Sequence, residues 1–347
     1  MPGCCKGVAV VAALGAAAAG YVPCVDAECL RNGLRAAASN AWVQAAVAVG
    51  LSVLALRALN AKRKKAAFLR KVKEDNVKGR VYIYVPIART NSLLGKGLAH
   101  VNPNAVKIEA FLRLHKIPYE FVVEGDAPNL SPTGTVPMVA VDGELVGDSE
   151  VVMEFLARRF NKPLYEDDKQ LQGATTQALL AGLRRMTEWH LIPQWARFFI
   201  VDHAKTLAVP MFAETTGYPE FMVSLLVSKT FRPVTIERLN KSSLGWQSDA
   251  RCQEEFLRDL KALEALLRGN GEAFLLTADQ PTAADCLIFP QIAVFVAVGG
   301  LPAAQDSCAM RYASESPVLT AYVKRVAARL FPDLEELKTK PYPQRFF

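Results

Sequence analysis

Residues 131–160, SPTGTVPMVAVDGELVGDSEVVMEFLARRF, decide how this chain is read. Thr-Gly-Thr makes a turn, and Val136-Pro137 falls where a strand would normally donate backbone hydrogen bonds. Proline has no N–H to donate, so the X-Pro step is a candidate cis peptide whose neighbouring backbone groups stay free to bind something else. Met138–Val141 and Glu144–Gly147 then read as two short strands joined by Asp142-Gly143, a strong hairpin signal. Asp148-Ser149 opens an apolar helix, so its free N–H groups and positive dipole end face back toward the proline. Two main-chain binding devices converge on one place, which marks a site as well as a fold element.

Upstream, Val81–Pro86 (VYIYVP) is a β-branched and aromatic strand, and 87–102 is a polar connection containing Gly95-Lys96-Gly97. That triplet lacks the flanking residues of a phosphate-binding P-loop. Pro103 sits at the first turn of a helix whose Val106, Phe111 and Leu114 form an apolar stripe. Residues 118–123 (PYEFVV) make the next strand. A βαβ unit followed by ββα within about 80 residues is the order of a thioredoxin-like domain. After Asn161-Lys162-Pro163 the pattern is helical to the end, with helices expected over 171–187, 189–201, 219–239, 249–267, 282–298 and 317–330. Thr282-Ala283-Ala284-Asp285 has the spacing of a capping box ahead of an apolar helix, so its expected role is folding.

Of the 347 residues, 41 are Lys or Arg and 34 are Asp or Glu, for a net charge of +7. Ten of the basic residues lie between Arg57 and Arg80, against Glu74 and Asp75 alone. The basicity therefore belongs to one segment, which argues against a nucleic-acid-binding face. Ahead of it, 7–25 and 36–56 carry no charged side chain. Each approaches the roughly 20 residues of a bilayer span. Residues 41–59 are the better candidate, with Trp42 near one edge and Arg57 at the exit. The run Lys62-Arg63-Lys64-Lys65 behind it would keep the following domain in the cytosol, on a membrane left open. The expected organisation is an N-terminal hydrophobic anchor at 1–60, with 7–25 a second span or a targeting segment, and a basic linker at 61–79. An α/β thioredoxin-like domain at 80–162 and an all-α domain at 163–347 follow. Cys4, Cys5, Cys24 and Cys29 lie in the N-terminal segment, while Cys252, Cys286 and Cys308 are isolated. Their spacings with histidine do not match zinc sites, and no metal is expected.

V-P-M-V at 136–139, D-S-E-V-V-M-E-F-L at 148–156 and P-T-A-A-D at 281–285 together resemble the glutathione transferase superfamily over residues 80–335. Within it, N-P-N-A-V-K-I-E-A-F-L-R-L at 102–114, I-P-Y-E at 117–120, L-T-A-Y-V-K-R-V at 319–326 and Phe331-Pro332-Asp333 look most like the group of failed axon connections and the metaxins. The resemblance implies a thiol-peptide pocket where the thioredoxin-like domain meets the helical one, with glutathione as ligand. The Val136 backbone beside Pro137 would pair with the cysteinyl part, and Asp148 and Ser149 would hold the γ-glutamyl end. Asp148 stands where Glu or Gln is usual. Pro137 and Ser149 would equally be kept as fold features with no ligand.

The position for thiol activation departs from the pattern. Active members of the superfamily place a Tyr at the end of the first strand, or a Ser or Cys just before the first helix, to hold the thiolate or attack directly. Here Asn102 precedes that helix; its amide donates a hydrogen bond but is no nucleophile. Tyr84 lies near the tyrosine position and reads equally as a strand aromatic packed in the core; Ser92 lies in the intervening loop. Three readings follow. The first is a membrane-anchored binder of glutathione or of a protein partner, with weak or no catalysis. The second is an active transferase or peroxidase, and the third a glutathione-independent adaptor or import-type component. A homodimer through these domains is compatible with each.

Overall fold

The computed structural model describes residues 41–75, 77–87, 99–271 and 273–339. Two compact units divide the chain at Arg70/Lys71. The 7–25 segment, Cys4, Cys5, Cys24, Cys29 and Ser92 lie outside the described residues.

Residues 41–59 are helical, as the sequence predicts, within α1 (Ala41–Asp75). The expectation of a membrane span there is not carried by the structure. Among the described residues, no helix is long and apolar enough to cross a membrane. In α1 the uncharged run ends at Arg57, and Lys62-Arg63-Lys64-Lys65 follow in the same helix.

β1 (Val81–Val85) is buried along its whole length and becomes an inner strand. It is followed by α2 (Pro103–Leu114), β2 (Tyr119–Val123), the four-residue α3 (Ala127–Leu130), β3 (Met138–Val141), β4 (Glu144–Gly147) and α4 (Ser149–Phe160). The sheet order is β2-β1-β3-β4, with β1 parallel to β2 and antiparallel to β3. The hairpin turn sits at Asp142 and Gly143, both at positive φ, as an Asp-Gly turn requires. Alternation divides the side chains of β1 between two faces. Val81, Ile83 and Val85 join the main core with Val106 and Phe111 of α2 and Val152, Met153 and Leu156 of α4. Tyr82 and Tyr84 belong to the opposite face.

The remainder is helical: α5 (Ala174–Met186), α6 (Ile192–Ala196), α7 (Val209–Thr216), α8 (Glu220–Leu226), α9 (Arg232–Asn240), α10 (Asp249–Gly269), α11 (Ala283–Gly299), α12 (Cys308–Glu315), α13 (Pro317–Leu330) and α14 (Leu334–Thr339). The expected helix over 189–201 is not a plain α-helix. Widened π turns at Thr187–Leu191, Ala204–Ala208 and Val227–Phe231 each run directly into an α segment with proline in its first turn, at Pro193, Pro210 and Pro233. A proline without an N–H cannot close its own i→i−4 bond, which accounts for the looser turn before it. α11 is buried on nearly every side and packs against α2, α12 and α13, so one helix joins the sheet half to the helical half.

The Thr282–Asp285 capping box is present, and it extends further than its own helix. Asp285 Oδ2 accepts from the Thr282 N–H at 2.9 Å, and Oδ1 accepts from the Leu275 N–H at 2.9 Å and the Tyr322 hydroxyl at 3.0 Å. Burial pushes the Asp285 carboxyl above its ordinary range, although donors from the backbone of Thr282 and Leu275 and from Tyr322 pull the other way.

Candidate functional site

The N-terminus of α4 is built by its own residues. Asp148 is the N-cap: its Oδ1 accepts from the N–H of Glu150 at 3.0 Å and of Val151 at 3.3 Å. It does so at φ 70°, a backbone conformation uncommon for a residue with a Cβ. The Asp148 N–H donates to Thr135 Oγ1 at 3.1 Å, and Thr135 Oγ1 lies 2.7 Å from Thr133 Oγ1. Gly147 makes this approach possible. A Cβ there would lie 2.5 Å from Thr133 Oγ1 and 2.6 Å from Ser131 Oγ, too close for either to stay. The turn before Pro137 and the start of α4 are thereby locked together.

Ser149, the first residue of α4, is left over from this arrangement. It is buried, yet among the described residues neither its N–H nor its hydroxyl has a hydrogen-bond partner. Two donors at the positive end of a three-turn helix favour a carboxylate or another anion.

The Val136–Pro137 bond is cis, and Pro137 is buried against the start of β3. Across from it stands Asn102, the N-cap of α2. Asn102 Oδ1 accepts from the Asn104 N–H at 2.9 Å, and Nδ2 donates to the Val136 carbonyl at 3.4 Å, a long bond. Asn102 thus clips α2 to the cis-proline turn. His100 holds the same corner. Its Nδ1 accepts from the Asn102 N–H at 2.9 Å, which leaves the Nε2 proton for the Ile87 carbonyl at 3.1 Å. The residue that brings 87 and 102 together is therefore a histidine, for which the sequence assigned no role.

Tyr84 does not fit the thiol-activating role. It is 2 % exposed, the fourth of the five residues of β1 and paired in register with Val122 and Met138, on the sheet face opposite the α2 and α4 core. The reason is strand parity: a residue one place along in β1 points to the other face. The structure brings Asn102, Val136, Pro137, Asp148 and Ser149 to the ends of α2, β3 and α4, and leaves Tyr84 out.

A charged network that sequence reading missed lies directly behind. The Lys107 side chain is fully buried, and its Nζ donates to Glu188 Oε1 at 2.7 Å and to Glu150 Oε2 at 3.2 Å. Arg184 Nε reaches Glu150 Oε1 at 2.7 Å, and its guanidinium lies 4.4 Å from the centre of the Tyr165 ring. A buried ammonium must be paired, so Lys107 fixes the first turn of α4 against both α2 and the helical half. Its sequence signal is faint, a single Lys within a helix that turns out to be buried all round. At the opposite end of α2, Arg113 holds Asp333 through two bonds of 2.7 and 3.1 Å. A recess of about 420 Å³ opens there, lined among others by Ile117, Arg329 and Pro332, a helix length away from Asn102. Among the described residues, no cluster of His, Cys, Asp and Glu is placed to hold a metal ion. His190 pairs with Asp259, and Cys252 and Cys286 are buried.

Comparison with known proteins agrees with this geometry. A family model described as the glutathione S-transferase N-terminal domain matches residues 103–205, and one for the glutathione S-transferase C-terminal domain matches 247–325. The chain is 25 % identical to Failed axon connections of Drosophila melanogaster over 248 residues, covering 70 % of this chain and 57 % of that protein. It is 30 % identical over 198 residues to the isoprene-epoxide–glutathione S-transferase of Rhodococcus sp. (strain AD45), covering 54 % of this chain and 75 % of that enzyme. A metaxin-2 homolog of Caenorhabditis elegans is 20 % identical over 195 residues, covering 56 % of this chain and 81 % of the relative. With both halves matched in order along the sheet and the helical part, the chain belongs to the glutathione S-transferase family.

Proposed function

We propose that the protein binds glutathione at the corner formed by Val136, Pro137, Asp148 and Ser149, and that it catalyses conjugation weakly or not at all. The observation that carries the binding half is Ser149, whose N–H and hydroxyl are both unclaimed at the N-terminus of α4. They suit the γ-glutamyl carboxylate, while the free Oδ2 of Asp148 suits the neighbouring ammonium and the Val136 N–H the cysteinyl carbonyl. The case for weak catalysis comes from the same corner. Tyr84 is buried on the wrong face, and the Asn102 amide already donates to Val136. Among the described residues at the corner, the hydroxyls of Thr133 and Thr135 are engaged with each other and with the Asp148 N–H, and Ser149 lies at the γ-glutamyl end of the proposed peptide.

Residues 1–60 would hold this domain at a membrane, with the basic residues of α1 on the cytosolic side. Supporting this, Val49, Leu51, Leu54 and Leu56 are exposed on α1 ahead of the basic run. Deleting 1–60 should move the protein from the membrane fraction to the supernatant, and continued sedimentation would refute the anchor.

Isothermal calorimetry on the full chain with reduced glutathione tests the binding site. The expected result is saturable binding that weakens in Ser149→Ala, with turnover toward an epoxide close to the uncatalysed rate. No heat at millimolar glutathione would refute the binder and leave a protein-binding adaptor. A second reading is favoured by the 30 % identity to an isoprene-epoxide–glutathione S-transferase. Here the chain conjugates epoxides, with Asn102 Nδ2 turning from Val136 to the sulfur. Turnover well above background that is lost in Asn102→Ala would establish it.

A further inference from the structure

The two family models leave 206–246 unmatched between them, and that segment carries the largest concentration of outward-facing apolar side chains in the helical half. α8 and α9 with the π turn between them form one helical run over 220–240. Against the rest of the protein this run buries chiefly Val223 and Val227, which meet Val209 in a small cluster apart from the main core. Its larger apolar residues point the other way. Phe221 is 74 % exposed, Leu225 61 % and Tyr218 59 %, with Met222 and Leu226 exposed beside them. The spacings 221/225 and 222/226 place these four on one side of the helix, and Tyr218 lies exposed just ahead of its first turn. A helix that faces solvent normally shows the reverse arrangement, small polar residues outside and the large apolar ones inside.

The charges around this stripe indicate what covers it. Lys229 follows Leu225 by four residues, so the stripe continues into a cation, and Arg232, Arg238 and Lys241 come next. Over 218–241 there are four basic residues against Glu220 and Glu237, and Glu237 is held by Lys241 at 2.6 Å. Lys229 has no acidic partner among the described residues. Phe, Leu and Met on one face, with Tyr218 just ahead and unneutralised Lys and Arg behind, are the components of a helix that lies in a lipid–water interface. There the rings and aliphatic chains enter the acyl boundary, and the cations meet anionic headgroups.

We propose that the 218–234 face is an interfacial docking surface for an anionic lipid bilayer. It brings the helical half down onto the membrane independently of residues 1–60. The surface concerns neither glutathione nor the anchor, so its test is separate from theirs.

The test is backbone hydrogen exchange on the full chain with vesicles of phosphatidylcholine and phosphatidylserine in a ratio of about two to one. Amides of 220–231 should slow by about tenfold or more on adding these vesicles, and less with phosphatidylcholine alone or at high salt. Amides of α11 should keep their rates and so report the fold. The double variant Phe221→Glu, Leu225→Glu should lose the slowing at 220–231 while the α11 rates stay the same. Should the double variant disturb α11, Lys229→Glu serves in its place, with a reduced vesicle effect expected. Equal exchange at 220–231 with and without anionic vesicles would overturn the proposal. So would protection that appears without lipid and rises with protein concentration, which would assign the face to a second copy of the chain.

Discussion

The helices α4 and α11 begin alike, each with an acidic side chain at its N-terminal end accepting two backbone N–H groups, yet the two starts are finished differently. At α11 both oxygens of Asp285 are occupied, by Thr282, Leu275 and the Tyr322 hydroxyl, and the residue is fully buried. At α4 a single oxygen of Asp148 takes both N–H groups, the backbone is held at positive φ, and the next residue keeps two donors with no acceptor. A closed cap stabilises a fold. A cap with donors left over, at the end of a helix and beside a cis-proline turn, is where a ligand fits. The acidic residue itself does not separate the two cases; the unclaimed atoms next to it do.

The comparison breaks most visibly at Asp285. Asp285→Ala strands the Leu275 and Thr282 N–H groups and the Tyr322 hydroxyl in the core, and should cost about 3–5 kcal/mol in urea-induced unfolding. Asp285→Asn keeps one carbonyl acceptor and should lose less. If the alanine variant unfolded at the native urea concentration and changed only glutathione binding, the division between closed and open caps would be wrong.

A smaller effect should appear at the C-terminal end of α2. Burial, with Lys162 adding to it, lowers the His115 pKa to about 4, and the ring Nε2 is buried without a partner. The unfolded chain takes up the proton near the ordinary value of about 6.5, so below that pH it binds more protons than the folded one. Stability should be constant above about pH 6.5 and fall by roughly 1–3 kcal/mol as pH drops toward 4. His115→Leu should flatten this part of the profile, as thermal unfolding between pH 4 and 8 would show. An unchanged slope would mean that His115 is hydrated and that this end of α2 is open as well.

What could be read from sequence follows the range of each signal. Val136-Pro137, Asp142-Gly143, Asp148-Ser149 and Thr282–Asp285 are devices of two to four residues, and each appears where the sequence places it. The Lys107 network joins residues 43 and 81 positions apart, and no local pattern specifies such pairings. Tyr84 was legible as a strand residue but not as to its face, because alternation leaves open which side carries the site. α7 and α12 went unread: α7 follows a π turn that breaks the helical period, and α12 is only eight residues long. The membrane span was inferred from uncharged length and the basic run behind it, and among the described residues no helix is long and apolar enough to cross a membrane.

At the open cap the comparison predicts binding without stability. Ser149→Ala removes one donor and keeps the N–H, so glutathione affinity should fall by about tenfold, or about 1.4 kcal/mol. The urea midpoint should stay where it is, since the hydroxyl has no partner to lose. A stability loss like that of Asp285→Ala would show that the hydroxyl serves the fold and that α4 is as closed as α11.

The smallest effect separates the two roles left for Asn102. As the N-cap of α2 it accepts from the Asn104 N–H, and Asn102→Ala should cost about 1 kcal/mol of stability. Asn102→Ser keeps a capping oxygen but gives up the reach to the Val136 carbonyl, so its stability should stay within about 0.5 kcal/mol of the native chain. If Asn102 is only a clip, the serine variant binds glutathione slightly less well and conjugates no more slowly, because there was little conjugation to lose. A serine variant that conjugates faster would be the more telling result. It would mean that a hydroxyl at the start of α2 is the one part the native corner lacks, and that the remainder of the site is already arranged for chemistry.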